Sequence, residues 1–144
     1  VYMEVDHRDK DGKGKAWFDE VQLEKGEVSS SYNPVQNSSF TSATENWSAS
    51  GASVDSEEGF NDDVSLKAAR TSASQAGSVT KQTVVLGQNA NDKPVYLTLT
   101  GMSKASSVKF SDEKDYSLQA NVTYADGSTG VYNAKFPSGT QEWN

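Results

Sequence analysis

Tyr96, Tyr132, Trp17 and Trp143 offer flat apolar surfaces that suit the C–H faces of pyranose rings, and Gln82, Gln119 and Asn121 offer planar amides that suit their hydroxyls. Sugar recognition needs both kinds of group, because a ring face favours apolar contact while a desolvated hydroxyl must be hydrogen-bonded. The set with the best claim to a ligand is Tyr96, Gln119, Asn121 and Tyr132, all on predicted strands.

Catalytic chemistry finds less material. His7 is the only histidine and sits beside Arg8 among charged residues, so a Ser-His-Asp arrangement or a histidine-metal site would have to be built around a solvated loop. Glycoside hydrolysis needs only two carboxylates, roughly 5 to 9.5 Å apart. The pairs Glu57/Glu58 and Asp62/Asp63 are adjacent in sequence, and adjacent residues on a strand point to opposite faces, so they read as solvated charge. Asp9-Lys-Asp11-Gly12 has the start of an EF-hand loop, but aligning Gly12 with the loop glycine puts Phe18 where a bidentate Glu is required. The expectation is a protein that is not an enzyme.

The elements that must position these groups are strands. Signals recur at Val1 to Asp6, Lys15 to Glu24, Ala52 to Ser56, Val64 to Ala69, Ser78 to Leu86, Pro94 to Met102, Tyr116 to Tyr124 and Gly130 to Phe136, with turn residues between them. Asp11-Gly12-Lys13-Gly14 predicts a hairpin that pairs the first two strands antiparallel, and Asp126-Gly127-Ser128 predicts another. In Tyr116 to Tyr124 the period of two sets Tyr116, Leu118, Ala120, Val122 and Tyr124 on a packing face, with Ser117, Gln119, Asn121 and Thr123 on the other. Tyr96 alternates in the same way against Leu97 and Leu99. No helix is predicted, although Asp112-Glu-Lys-Asp115 could close a short turn.

Composition sets the outer limits. At 144 residues and 34% hydrophobic content, one domain with a thin, sheet-like core is expected. A net charge of -7 repels nucleic acid and anionic membranes, and no apolar run approaches the roughly 18 residues of a membrane span. The absence of cysteine removes disulfides, thiolate metal sites and cysteine nucleophiles.

Ordered motifs carry a family resemblance. Trp17-Phe-Asp-Glu-Val-Gln-Leu23, Asn37-Ser-Ser-Phe40, Asn46-Trp47-Ser48, Glu58-Gly-Phe60, Val64-Ser-Leu-Lys67, Tyr124-Ala-Asp-Gly127 and Gln141-Glu-Trp143 together resemble the jelly-roll carbohydrate-binding modules related to families 4, 9 and 22. The tandem order and the Ser31-Tyr-Asn-Pro34 linker are most similar to modules of Gram-positive wall-associated proteins that carry Rhs-type YD repeats. The resemblance makes residues 1–26 the closing strands of a preceding module and residues 27–144 a module lacking its own last strands. Residues 1–26 would then complete the sandwich by permutation or by swapping between molecules.

The resemblance also implies a structural calcium, with Asp19 as the closing-strand acid and Ser65 in the neighbouring loop; Thr41 stands where the family has a further acid. It assigns Phe40, Trp47 and Phe60 to the framework of the core. The reading as a whole is an all-β jelly-roll β-sandwich of two antiparallel sheets, extracellular and cell-wall associated. It would be a noncatalytic carbohydrate-binding or wall-associating module with polysaccharide as partner, no nucleic acid and no membrane. The alternative is a structural spacer or adhesion module without glycan binding.

Overall fold

A computed structural model of the chain describes residues 1–5, 14–25, 33–72, 77–87, 96–110 and 115–144. The expected Asp11 to Gly14 hairpin, His7, the Asp9 to Gly12 motif, Pro94, Val95 and the acidic run from Asp112 lie wholly or mainly outside the described residues.

The protein is an all-β sandwich of the jelly-roll type, built among the described residues from two five-stranded antiparallel sheets. In chain order the strands are β1 (Tyr2–Val5), β2 (Gly14–Lys25), β3 (Ser48–Ser50), β4 (Ala52–Asp55), β5 (Ser65–Arg70), β6 (Ser78–Lys81), β7 (Leu97–Val108), β8 (Tyr116–Thr123), β9 (Thr129–Lys135) and β10 (Gly139–Gln141). One sheet runs β3-β6-β1-β8-β9 and the other β10-β7-β2-β5-β4.

The expected pairing of the first two strands does not occur. β1 lies between β6 and β8, while β2 lies between β5 and β7, so the two are the central strands of different sheets. Their alternation explains this: Met3 on β1 and Ala16, Phe18, Val21 and Leu23 on β2 are all buried, and side chains that face one another across a core must come from opposite sheets. β1 pairs with β6 and β8, and β2 with β5 and β7, so residues of the first 26 occupy the middle of both sheets. A one-residue bulge at Glu20, with φ of 49°, shifts the β2–β7 register between Asp19 and Gln22 and keeps both Phe18 and Val21 inward.

The core centres on Phe18, Tyr116 and Phe136, whose rings meet at 5.1 to 6.1 Å between centroids. Ser103 works beneath them: its hydroxyl donates to the Trp17 carbonyl at 2.6 Å and shares a 2.6 Å hydrogen bond with the Tyr116 hydroxyl. Two buried polar groups thus satisfy each other, which avoids the 1–3 kcal/mol or so that an unpaired one costs. Phe40 and Trp47 pack together at 5.3 Å in the core, as expected. Phe60 does not: it is 40% exposed and meets the edge of Trp143 at 6.1 Å, because the loop that carries it lies outside the sheet. Among the described residues no helix is long and apolar enough to cross a membrane.

Candidate functional site

Tyr96, Gln119, Asn121 and Tyr132 do not form one site. Gln119 and Asn121 do lie on the outer face of β8, opposite the packed Tyr116 and Leu118. β9 pairs with β8 so that Tyr132 stands across from Ala120 and Asn133 across from Gln119. Directly opposed residues share a face, so Tyr132 belongs to the core-side face and Asn133 is the outer-face neighbour. The Gln119 amide donates to the Asn133 side chain at 2.8 Å, and the outward position beside Asn121 is filled by Val131. Tyr96 precedes β7 in the other sheet and is 72% exposed.

Tyr132 has a different partner. Its ring lies over Gly130, where a Cβ would come within 2.9 Å of it, and its hydroxyl hydrogen-bonds the Tyr124 hydroxyl. That bond pushes the Tyr124 hydroxyl pKa up. The two tyrosines lie at the turn end of the β8–β9 hairpin, both more than 40% exposed.

The other proposed sugar contacts are spent on structure. Gln82 accepts from the Gln36 backbone at 2.8 Å and donates to the carbonyls of Gln36 and Asn46, fixing one wall of a polar groove of about 360 Å³. Trp17 is buried on the outer side of β2 under a cross-strand network that sequence spacing gave no means of seeing. Its indole N–H donates to Asp55 at 3.0 Å, Lys67 pairs with the same carboxylate oxygen at 2.7 Å, and the Lys67 ammonium sits 5.7 Å from the Trp17 ring centre. Hydrogen bonds from Lys67 and then Trp17 hold the Asp55 pKa down at about 2. Nearby, Lys104 bridges Glu58 at 2.9 Å and Glu142 at 3.1 Å, and the bond to Glu58 raises its pKa.

The loop between β4 and β5 reaches Asp19 through Phe60 and Ser65 through Glu58. Asp19 and Ser65 are both fully buried. Asp19 accepts from the backbone of Glu20 at 2.8 Å and of Phe60 at 2.9 Å, while the Ser65 hydroxyl donates to the Glu58 carbonyl. Burial raises the Asp19 pKa despite these two bonds, and nearby Asp62 adds to the rise. The loop is tight enough that a Cβ on Gly59 would lie 2.3 Å from the Asp62 carbonyl oxygen. Among the described residues no three His, Cys, Asp or Glu side chains gather as a metal cluster.

No family model and no solved structure matches the chain. Its 144 residues are 97% identical to a stretch of "tRNA3(Ser)-specific nuclease WapA" of Bacillus spizizenii. They are 96% identical to stretches of "tRNA nuclease WapA" of Bacillus subtilis and "tRNA(Glu)-specific nuclease WapA" of Bacillus subtilis subsp. natto. The chain spans 6% of the length of each of these relatives.

These similarities correct the functional expectations drawn from sequence. Proteins that contain this chain almost unchanged are named as nucleases acting on tRNA. That overturns the carbohydrate-binding or wall-associating module and its spacer alternative, the expectation of a nonenzyme, and a partner list with polysaccharide in place of nucleic acid. The physical reason is that the motifs behind the resemblance are framework residues: Phe40, Trp47, Leu66 and the Trp17 strand build a sandwich, and a sandwich hosts many functions.

Proposed function

We propose that this chain is a β-sandwich of a tRNA-cleaving polypeptide, and that the choice of tRNA is made outside these 144 residues. The observation that carries this reading is near-identity to two relatives named for different tRNAs, one for tRNA3(Ser) at 97% and one for tRNA(Glu) at 96%. Sequence-specific RNA recognition depends on individual base-edge hydrogen bonds and stacking contacts. A surface that made them would differ where the target differs.

Electrostatics supports the same division. Binding a phosphate backbone requires lysines and arginines that can displace its counterions. This chain carries a net charge of -7, and Lys67 and Lys104 are already matched by Asp55, Glu58 and Glu142. Phosphodiester cleavage is accordingly assigned to the whole polypeptide.

The test is to exchange this segment between the two full-length relatives and sequence the tRNAs cut by each chimaera. Cleavage should follow the polypeptide outside the segment. If the cut tRNA changes with the segment, the division of labour is wrong.

Asp19 and Ser65 support a separate, structural proposal, a calcium ion. The Asp19 carboxylate, the Glu58 carbonyl and the Ser65 hydroxyl are hard oxygen donors gathered by one loop, and the buried carboxylate accepts from the backbone amides of Glu20 and Phe60. With a single charged ligand, affinity should be weak, in the range of about 10⁻⁴ to 10⁻³ M. Millimolar calcium should raise Tm relative to chelator, and Asp19→Asn should abolish that increment; equal Tm values in calcium and chelator dismiss the ion.

A further inference from the structure

Among the described residues the two sheets have four outer strands, and they are unequal. β3 and β10 have three residues each and β4 has four, whereas β9 has seven. Short edges are one way in which sheets avoid pairing with other chains. β9 has little such protection: Thr129–Lys135 contains no proline and no acidic residue, and its one charged side chain, Lys135, stands at its last position. Val131 is 61% exposed on one face and Tyr132 is 55% exposed on the other.

Backbone hydrogen bonds show which groups the edge presents. The Phe136 N–H donates to Tyr116 and the Tyr124 N–H donates to Ser128, and both are directly opposed pairs in the β8–β9 register. Bonded and nonbonded pairs alternate along an antiparallel ladder. Gly130, Tyr132 and Ala134 therefore turn their backbone groups toward β8, while Thr129, Val131 and Asn133 turn theirs outward. Among the described residues no strand lies on that side.

We propose that this edge binds the same strand of a second copy, antiparallel, about a two-fold axis through Val131, so that two five-stranded sheets become one. A two-fold axis normal to the sheet keeps each face continuous, and the strand is self-complementary under it. Val131 opposes Val131 on the outer face, which covers the exposed apolar side chains with each other. Thr129 opposes Asn133, and three such outward pairs supply about six backbone hydrogen bonds. On the core-side face Gly130 opposes Tyr132, so a glycine faces each ring; an axis through Tyr132 would instead set the two rings side by side. The chosen register also directs Lys135 of each copy toward the turn that precedes β9 in the other, and that turn carries Asp126, an opposite charge in a molecule of net charge -7.

Analytical ultracentrifugation over a concentration series tests the pairing, with Val131→Lys as the breaking variant. Position 131 is exposed, so the lysine leaves the monomer folded, but it sets two ammonium groups against each other and should weaken the dimer at least about tenfold. Because the chain has no cysteine, Val131→Cys is a second probe. Facing bonded residues have Cα atoms about 5.5 Å apart, within disulfide range. Under mild oxidant it should form covalent dimer at least about tenfold faster than Val85→Cys, a control at a position 87% exposed elsewhere. A wild-type dimer that Val131→Lys disrupts, with selective cross-linking at 131, supports the proposal. A monomer at every concentration, or a dimer that ignores Val131→Lys and cross-links equally at 85, overturns it.

Discussion

The two ends of β8 obey the same alternation and meet opposite fates. At its start Tyr116 and Leu118 are almost wholly buried, and Tyr116 packs against Phe18 and Phe136 and is tied to Ser103. At its far end Ala120 and Val122 are only half-buried, and the next residue in the series, Tyr124, is 43% exposed. A period of two decides which face a side chain takes, but burial depends on what the opposite sheet places there. The first end has three aromatic rings and a buried hydroxyl pair. The second has a tyrosine pair closing over a glycine.

The largest effect expected from this contrast is a difference between two aromatic truncations. Phe18→Ala removes a ring that touches both Tyr116 and Phe136 in a filled core, and such deletions cost about 3–5 kcal/mol. Tyr132→Ala removes a ring already 55% exposed and should cost less than about 1 kcal/mol. Urea unfolding of the two variants measures both values. Similar losses would mean that the open end is packed as firmly as the closed one.

How far the sequence foretold this arrangement differs by feature. The all-β sandwich was legible because short strand signals recurred with turn residues between them and the ordered motifs resembled a jelly-roll family, and β8 carried the cleanest alternation. The pairing of β1 was not, since a glycine turn joins two strands equally well within one sheet or across two. The second half of β7 was missed because Ser103 to Val108 is built of small and polar residues; Ser103 and Ala105 are buried there by the bulk of Phe18 and Tyr116 around them, a tertiary cause. The outward direction of Gln119 and Asn121 was readable, and the face of Tyr132 could have been. With Tyr124 closing on Ser128 around the Asp126-Gly127 turn, even-numbered residues meet even-numbered ones, which already separates Tyr132 from Gln119.

A middle-sized effect comes from the outer side of the closed end. Asp55 accepts hydrogen bonds from Lys67 and Trp17, and these hold its pKa at about 2 against an ordinary value of 3.8. Because the folded-state value is the lower one, the linked stability is fully present above the ordinary pKa and is lost as pH falls through it toward about 2. Asp55→Asn should therefore lie below the wild type by about 1 kcal/mol at pH 7. Denaturant curves at pH 7, 4 and 2.5 should show that gap narrowing with acid. A gap constant with pH would assign the loss to packing of the side chain rather than to its charge.

The smallest effect tests how loosely the open end is held. A methyl group at Gly130 would meet the Tyr132 ring at 2.9 Å and the Tyr124 hydroxyl at 3.2 Å, but both obstacles are ends of exposed side chains. The rings can swing into water, so Gly130→Ala should lose the tyrosine hydrogen bond while costing less than about 1 kcal/mol, and the better strand propensity of alanine offsets part of even that. The contrast is Gly14, where a Cβ would stand 2.7 Å from the Ser107 carbonyl oxygen and 2.8 Å from the Val108 Cα, backbone that cannot swing aside. Gly14→Ala should then lower Tm more than Gly130→Ala does, although the two distances differ by only a few tenths of an ångström. What separates the two sites is the freedom of the neighbour, so a Tm loss at Gly130 equal to that at Gly14 would mean that the tyrosine pair is fixed in place by contacts beyond its own hydrogen bond.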